Sequence, residues 1–278
     1  MTDKQMIEKM RKDVRGWNNP DSRLKFSEGN AKLDGIWNIS LPAGHSCPYA
    51  KQCQSRTTIV PKNESGFGVV DGPNCEWRCF AATDESKYPA TRHQRWFNYL
   101  SLIENKSAAK MADLIQDSLP KSRWGAPIRI HVSGDFFSQM YFDAWLIVAN
   151  RNPNQVFYAY TKALPLWVKR IAIIPKNFKL TASYGGTHDR LISEHNLRSA
   201  KVVFTVEEAA SLGLEIDHDD GHAYGDGPSF ALLLHGTQPA GTKAAKAWSA
   251  LKKQGIGGYA KQKDGREKIS NVGVPTPR

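Results

Sequence analysis

Between residues 128 and 234 the chain repeats one pattern five times: a short apolar run, then 15 to 25 residues with helical spacing. The runs are Ile128 to Val132, Val156 to Tyr160, Phe178 to Ala182, Val202 to Val206 and Phe230 to Leu234. Strands that alternate with helices at this period argue for parallel neighbours, because a parallel pair needs a crossover connection of about a dozen residues or more. A further strand precedes them at Gly35-Ile-Trp-Asn-Ile-Ser-Leu41, where apolar and polar residues alternate. The expected fold is α/β with about six units, either an open doubly wound sheet or a partial (β/α) barrel of TIM-like type. In both, ligands gather at the carboxyl ends of the strands.

Around this rhythm the organisation is simple. Residues 1–34 form an N-terminal helical segment, with Met6, Ile7, Met10, Val14 and Trp17 at helical spacing. The partial barrel spans 35–240 and carries a long loop, 42–91, in which no element is legible. Apolar positions from Trp96 to Leu119 predict one long helix or two in succession. Ser138 is placed as a helix N-cap, Thr205 and Glu208 have the spacing of a capping box, and Ala244 to Leu251 predicts a last helix. The third region, 241–278, is a basic helix and tail.

All four cysteines of the 278-residue chain lie in the loop, as Cys47, Cys53, Cys75 and Cys79, spaced C-x5-C, 21 residues, then C-x3-C. None falls on a strand or helix pattern, and Gly44-His-Ser-Cys47-Pro48 and Gly72-Pro-Asn-Cys75 present sulfur from turns. A shared metal centre is the economical reading. Structural zinc prefers C-x2-C to C-x4-C knuckles, since both thiolates of a pair must close one tight tetrahedron. A 4Fe-4S cubane takes one thiolate per iron and accepts wider, unequal spacings. A 4Fe-4S cluster on the four cysteines is the expectation. Zinc, disulfides (disfavoured in a reducing compartment) and unrelated core thiols are the alternatives.

Residues at or just past the strand ends are the candidate pocket: His131, Ser133, Asp135, Tyr160, Lys162 and Ser183, with Tyr184 beside them. For His131 and Tyr160 the competing reading is a core polar residue with a satisfied partner. His218-Asp-Asp-Gly-His222 reads as a solvated turn. No G-x-S-x-G, G-x4-G-K-[ST] or G-x-G-x-x-G after a strand is present, so hydrolase, NTPase and dehydrogenase classes gain no support.

The formal charge is +11, from 38 basic and 27 acidic residues. From Gly241 onward nine basic residues face two acidic ones, so this region carries +7 of it. Lys243, Lys246, Lys252, Lys253, Lys261, Lys263 and Arg266 are therefore candidate contacts to DNA or RNA backbone, with Trp248 and Tyr259 available for stacking. The charged start, MTDKQMIEKMRKD, is unlike a secretory signal, and no apolar run approaches the roughly 20 residues of a membrane span. A cytoplasmic protein with no membrane partner is expected.

Several segments carry a resemblance. Leu41-Pro-Ala-Gly-His-Ser-Cys47-Pro, Cys75-Glu-Trp-Arg-Cys79-Phe, Tyr88-Pro89, Ile130-His-Val-Ser-Gly-Asp-Phe136 and Val156-Phe-Tyr-Ala-Tyr-Thr-Lys162 resemble the gene product 88 family of bacteriophage proteins over about residues 35 to 190. This likeness implies a viral source, acting in the host cytoplasm, rather than a reaction. The layout is also similar to that of radical S-adenosylmethionine (SAM) enzymes, whose cluster loop follows the first strand of a partial barrel. Ser133-Gly134-Asp135 then stands where those enzymes hold the methionyl amine. Their loop is C-x3-C-x2-C; Cys75 and Cys79 match it and the third position is Ala82. With four thiolates bound, no iron is open to SAM, and the cluster is structural, redox-active or regulatory. With one thiol a spectator, three remain and SAM chemistry is the alternative.

Overall fold

The computed structural model describes residues 2–256 apart from 20, 30–32, 34, 62, 64, 65 and 122–124. Seven strands form one sheet: β1 (Ser27–Glu28), β2 (Trp37–Ile39), β5 (Ile128–Ile130), β6 (Phe157–Thr161), β7 (Phe178–Ser183), β8 (Ser199–Val203) and β9 (Phe230–Leu233), adjacent in that order. From β2 to β9 every pairing is parallel, while the two-residue β1 runs antiparallel on β2. Six parallel strands are the six expected. Among the described residues no pairing joins β9 to β1, so the sheet is open at both edges.

Register explains the two faces. Ile39, Ile130, Ala159 and Leu180 stand in one row across four strands, and Asn38, Arg129, Tyr158 and Lys179 in the next. The first row enters the main core together with the long helices. These are α1 (Asp3–Asp13), α3 (Pro89–Glu104), α4 (Ala108–Ser118) and α5 (Gln139–Arg151). Met6, Trp96, Met111, Tyr141 and Trp145 are their fully buried contributions. The opposite face carries a smaller cluster, with Tyr158, Ala200 and Phe230 against Ala223 of the four-residue α9 (Gly221–Tyr224). The short α6 (Leu164–Val168) and α7 (Arg190–Glu194) follow β6 and β7, and α8 (Val206–Ser211) and α10 (Lys243–Lys253) close the far end through Ala209, Leu251, Val203 and Leu233.

Local chemistry sets the boundaries. Ser138 caps α5, its hydroxyl accepting the Tyr141 N–H at 3.2 Å. The strand expected at 202–206 lies three residues earlier, because Thr205 caps α8 and takes the Glu208 N–H at 3.1 Å. The Glu208 carboxylate accepts from Phe204 N rather than from Thr205 N, so the capping box is only half formed. The helical stretch after Ala90 is two helices, α3 and α4, divided at Asn105.

The loop at 42–91 is more structured than expected. It holds a hairpin, β3 (Ser55–Ile59) and β4 (Phe67–Asp71), and the helix α2 (Phe80–Lys87), and it runs into α3. The hairpin escapes a hydrophobic pattern because its buried positions are polar: Thr57 is fully buried and donates to Ala82 O at 2.8 Å. Glu85, fully buried on α2, then ties the segment to the fold. It accepts from Ala43 N at 3.1 Å, Trp96 Nε1 at 3.1 Å and Arg95 Nη1 at 3.4 Å.

Glu85→Ala leaves an amide, an indole N–H and a guanidinium without their buried partner. Such a loss costs about 3–5 kcal/mol, and urea unfolding of the variant will show it as a lower midpoint. Glu85→Gln, which keeps an acceptor, will lose less.

Candidate functional site

The cysteine-bearing segment leaves β2 and is laid across the carboxyl ends of the parallel strands. Leu41 N donates to Ser133 O, and the Ser133 hydroxyl donates to Leu41 O, both at 2.8 Å. Gly134 adopts φ +88°, and a Cβ there would stand 2.6 Å from Leu41 Cβ and Ser46 Oγ, so the loop after β5 touches the segment directly. The N–H groups of Lys51 and Gln52 donate to Gly185 O, just past β7, at 3.1 and 2.9 Å. Tyr49 O accepts from Thr187 N at 2.9 Å. Further on, Phe80 packs on His235 beyond β9, and Gln238 brackets the Arg78 backbone at 2.7 and 3.1 Å.

These anchors bring the four cysteines into one neighbourhood. Cys47 follows the turn begun by Gly44, and Cys53 precedes β3. Cys75 ends the turn after β4, and Cys79 is the N-cap of α2. Ser55 links the last two: its hydroxyl lies 3.5 Å from Cys75 Sγ and accepts the Cys79 N–H at 3.2 Å. Burial pushes the Cys47 thiol well up, and the charges of Asp135, Cys79 and Cys53 push it further. Cys79 is raised to about 11 by burial and then by Cys53, against the pull of the Ala81 and Ala82 N–H groups. Burial and Cys53 also raise Cys75. Cys53 is thus the common electrostatic neighbour of the other three. All four are free thiols. Among the described residues no three His, Cys, Asp or Glu side chains converge closely enough to hold a single metal ion.

The strand-end candidates divide into three groups. Asp135, Lys162 and Ser183 meet at the ends of β5, β6 and β7. Asp135 accepts from Phe136 N, Thr161 Oγ1 and Lys162 N at 2.7, 2.6 and 2.8 Å. Burial raises its pKa against these three donors. Lys162, 8% exposed, donates to Ser183 Oγ, and among the described residues no carboxylate lies within 4.0 Å of its ammonium. Ser133 is spent on Leu41.

His131 and Tyr160 leave the mouth. His131, at φ +66°, turns its ring into the aromatic core against Phe136 and Tyr141, with Nε2 3.0 Å from the Tyr141 hydroxyl. Burial and then Arg129 push its pKa down to about 3, so it stands neutral. Tyr160 joins a polar network on the lightly covered sheet face. Its hydroxyl donates to Asp217 and Asp220 at 3.1 and 3.2 Å. Asp220 is fully buried and also accepts from Arg129 at 2.6 Å and Tyr158 at 3.0 Å. Of the string 218–222 read as a solvated turn, His218 and Asp219 are exposed as expected, whereas Asp220 is buried in this network. The legible signal was Arg129: a guanidinium inside an apolar strand requires a buried acid.

Of the basic candidates, Lys243, Lys246, Lys252 and Lys253 lie on α10, and among the described residues none has a carboxylate within 4.0 Å. Lys252 lies over the Trp248 ring, 5.7 Å from its centroid. Lys261, Lys263 and Arg266 fall outside the described residues. No described helix is long and apolar enough to cross a membrane.

Compared with known proteins, the chain matches the family model described as Gene product 88 over residues 12–253. No curated protein and no solved structure matches it.

The network gives a pH test. Burial disfavours protonation of His222, but hydrogen bonds to Glu215 and Asp217 at 3.0 and 3.2 Å outweigh it and raise its pKa above 6.5. A raised folded-state pKa adds stability that is fully present below 6.5 and disappears as pH climbs through the folded value. His222→Gln will therefore lower the urea midpoint at pH 6 clearly more than at pH 8.5.

Proposed function

The chain belongs to the gene product 88 family, and we propose that it is an iron–sulfur protein. In this reading Cys47, Cys53, Cys75 and Cys79 hold one 4Fe-4S cluster over the strand ends, in a redox role. The observation that carries this is the anchoring of all four thiols at the strand ends: Ser55 lies 3.5 Å from Cys75 Sγ and takes the Cys79 N–H at 3.2 Å, while the turns bearing Cys47 and Cys53 are tied to Ser133 and to Gly185 O. Four sulfurs within mutual electrostatic reach, on turns anchored separately to the sheet, suit a centre that takes one thiolate per iron.

Zinc–thiolate bonds of about 2.3 Å would need the sulfurs drawn to about 3.8 Å from each other. A cubane takes one thiolate per iron and accepts wider, unequal spacing. Its four thiolates leave the assembly at about −2, and Lys162 offers a buried cation beside Asp135, the carboxylate whose charge reaches Cys47. Because ligation requires thiolates and burial raises these thiols, loading releases protons.

The sheet is read as a partial barrel, open between β1 and β9, with the long helices on one face and the Tyr158–Asp220 network on the other. SAM chemistry is the alternative role, since Asp135 follows β5 close to Cys47. It requires one iron free of protein ligand, which four thiolates deny. Nucleic-acid contact through α10 is a second reading, supported by four lysines that have no carboxylate partner among the described residues. In this reading the protein acts in the cytoplasm of an infected host.

Anaerobic reconstitution will give a brown protein with about four irons and four acid-labile sulfides per chain. Cys→Ser at each of the four positions will reduce that content. A colourless protein that retains zinc and takes up no sulfide overturns the reading.

The nucleic-acid reading is tested on Lys246, Lys252 and Lys253. Removing residues 241–278 would also remove Leu251, which is 3% exposed in the core. The triple Lys→Gln variant will lower the slope of log K against log salt on single-stranded DNA by about 2, at roughly 0.7 per phosphate contact.

A further inference from the structure

We propose that the cavity between the cysteine-bearing segment and the carboxyl ends of β7 and β8 is a nucleotide site. Its volume is about 570 Å³, within the 300–1,000 Å³ or so of small-ligand pockets. The inference does not rest on the cluster.

The cavity has a rigid roof. Gln52 and Trp77 sit on Gly185 at φ +93°, where a Cβ would stand 2.6 Å from Gln52 Oε1 and 3.0 Å from Trp77 Cη2. Gln52 O accepts the N–H groups of Glu76 and Trp77 at 2.7 and 3.2 Å, which holds both stretches of the segment together. The apolar wall is aromatic. Trp77 meets Phe204 edge to face with ring centroids 6.4 Å apart, and Tyr184 lies beside them. Such a wall takes a planar base of any identity, because every base has a π-face.

Polar capacity in the cavity is divided by sign. Three acids line it, and each is already engaged. Asp189 accepts from Gly185 N and Gly186 N at 2.8 and 2.9 Å. Glu208 accepts from Phe204 N at 2.8 Å, and Glu76 from Gln52 Nε2 at 2.6 Å. Two cations line it as well, Lys201 and Lys243. Among the described residues neither has a carboxylate within 4.0 Å, and the Lys243 ammonium lies over Phe204, 5.6 Å from its centroid.

Two available ammonium groups beside an aromatic wall select a ligand with an aromatic ring at one end and a compact anion at the other. The remaining oxygens of Glu76 and Glu208 are acceptors suited to sugar hydroxyls. A nucleoside phosphate answers all three demands: base on Trp77 and Phe204, ribose hydroxyls toward the glutamates, phosphate on the two lysines. The same chemistry is offered by a free mononucleotide and by the 5′-phosphorylated end of a single strand.

Calorimetric titration of the full chain with AMP, GMP, CMP and UMP, and with a single-stranded hexanucleotide with and without its 5′-phosphate, tests the assignment. At least one mononucleotide, or the phosphorylated hexamer, is expected to bind saturably and more weakly as salt rises. Lys201→Gln with Lys243→Gln will reduce that affinity about tenfold or more. Both side chains are partly or fully exposed, and an unchanged melting curve will separate lost binding from lost folding. Mononucleotides equal to the hexamer identify the free ligand as the source. A hexamer that binds more tightly only when phosphorylated identifies the strand end. The site is overturned if none of these probes saturates up to about 1 mM, or if the double variant binds as well as the unaltered chain.

Discussion

One buried carboxylate ties the start of the cysteine segment to α2 and α3. Glu85 lies on α2, yet its three donors come from the start of the cysteine segment and from α3. Burial raises the Glu85 pKa against the pull of Arg95 and the Ala43 N–H, and a carboxyl group removed from water is tolerated only when such donors surround it. The segment from residue 42 to the start of α3 has few apolar residues with which to build a core of its own. It is ordered because its polar groups are satisfied by the rest of the fold, at Glu85, at Gly185 O, at the Ser133–Leu41 pair and at Gln238. The cysteines are positioned as a consequence.

This arrangement separates two kinds of polar chemistry. On the lightly covered sheet face, Arg129, Tyr158 and Tyr160 converge on Asp220 in a closed network. Burial raises the phenol of Tyr158, and Asp220 raises it further, so the hydroxyl remains a donor. At the strand ends, by contrast, capacity is left over: four free thiols, a lysine whose partner is a hydroxyl, and two lysines on a cavity wall. Closed networks specify a fold; leftover capacity is what a ligand or an inorganic centre uses.

Much of this was legible. The strand rhythm, the N-caps at Ser138 and Thr205 and the crowding of Cys47 to Cys79 are local facts, written in spacing and side-chain type. Asp135, Lys162 and Ser183 followed from the rule that charged or polar residues past an apolar strand reach the mouth. His131 and Tyr160 defeated that rule for geometric reasons. A positive φ turned the first into the aromatic core, and the two-residue alternation of β6 pointed the second at Asp220. The cavity residues Gln52, Trp77 and Phe204 carried no signal, because they lie outside the regular elements and are brought together from two stretches of the cysteine-bearing segment and the turn after β8.

The sequence by itself determined the six parallel strands, the long helices and which residue types stand at the strand ends, since those depend on neighbours within a few positions along the chain. Only the tertiary structure decided that the cysteine segment crosses the sheet from β2 to β9, that Asp217 and Asp220 are buried, and that Lys201 and Lys243 share a wall with Trp77. Those outcomes depend on pairs such as Ala43 with Glu85, Gly185 with Gln52 and Arg129 with Asp220. Their members lie tens of residues apart, and each buried polar group had to find its partner wherever the packed sheet and helices placed one.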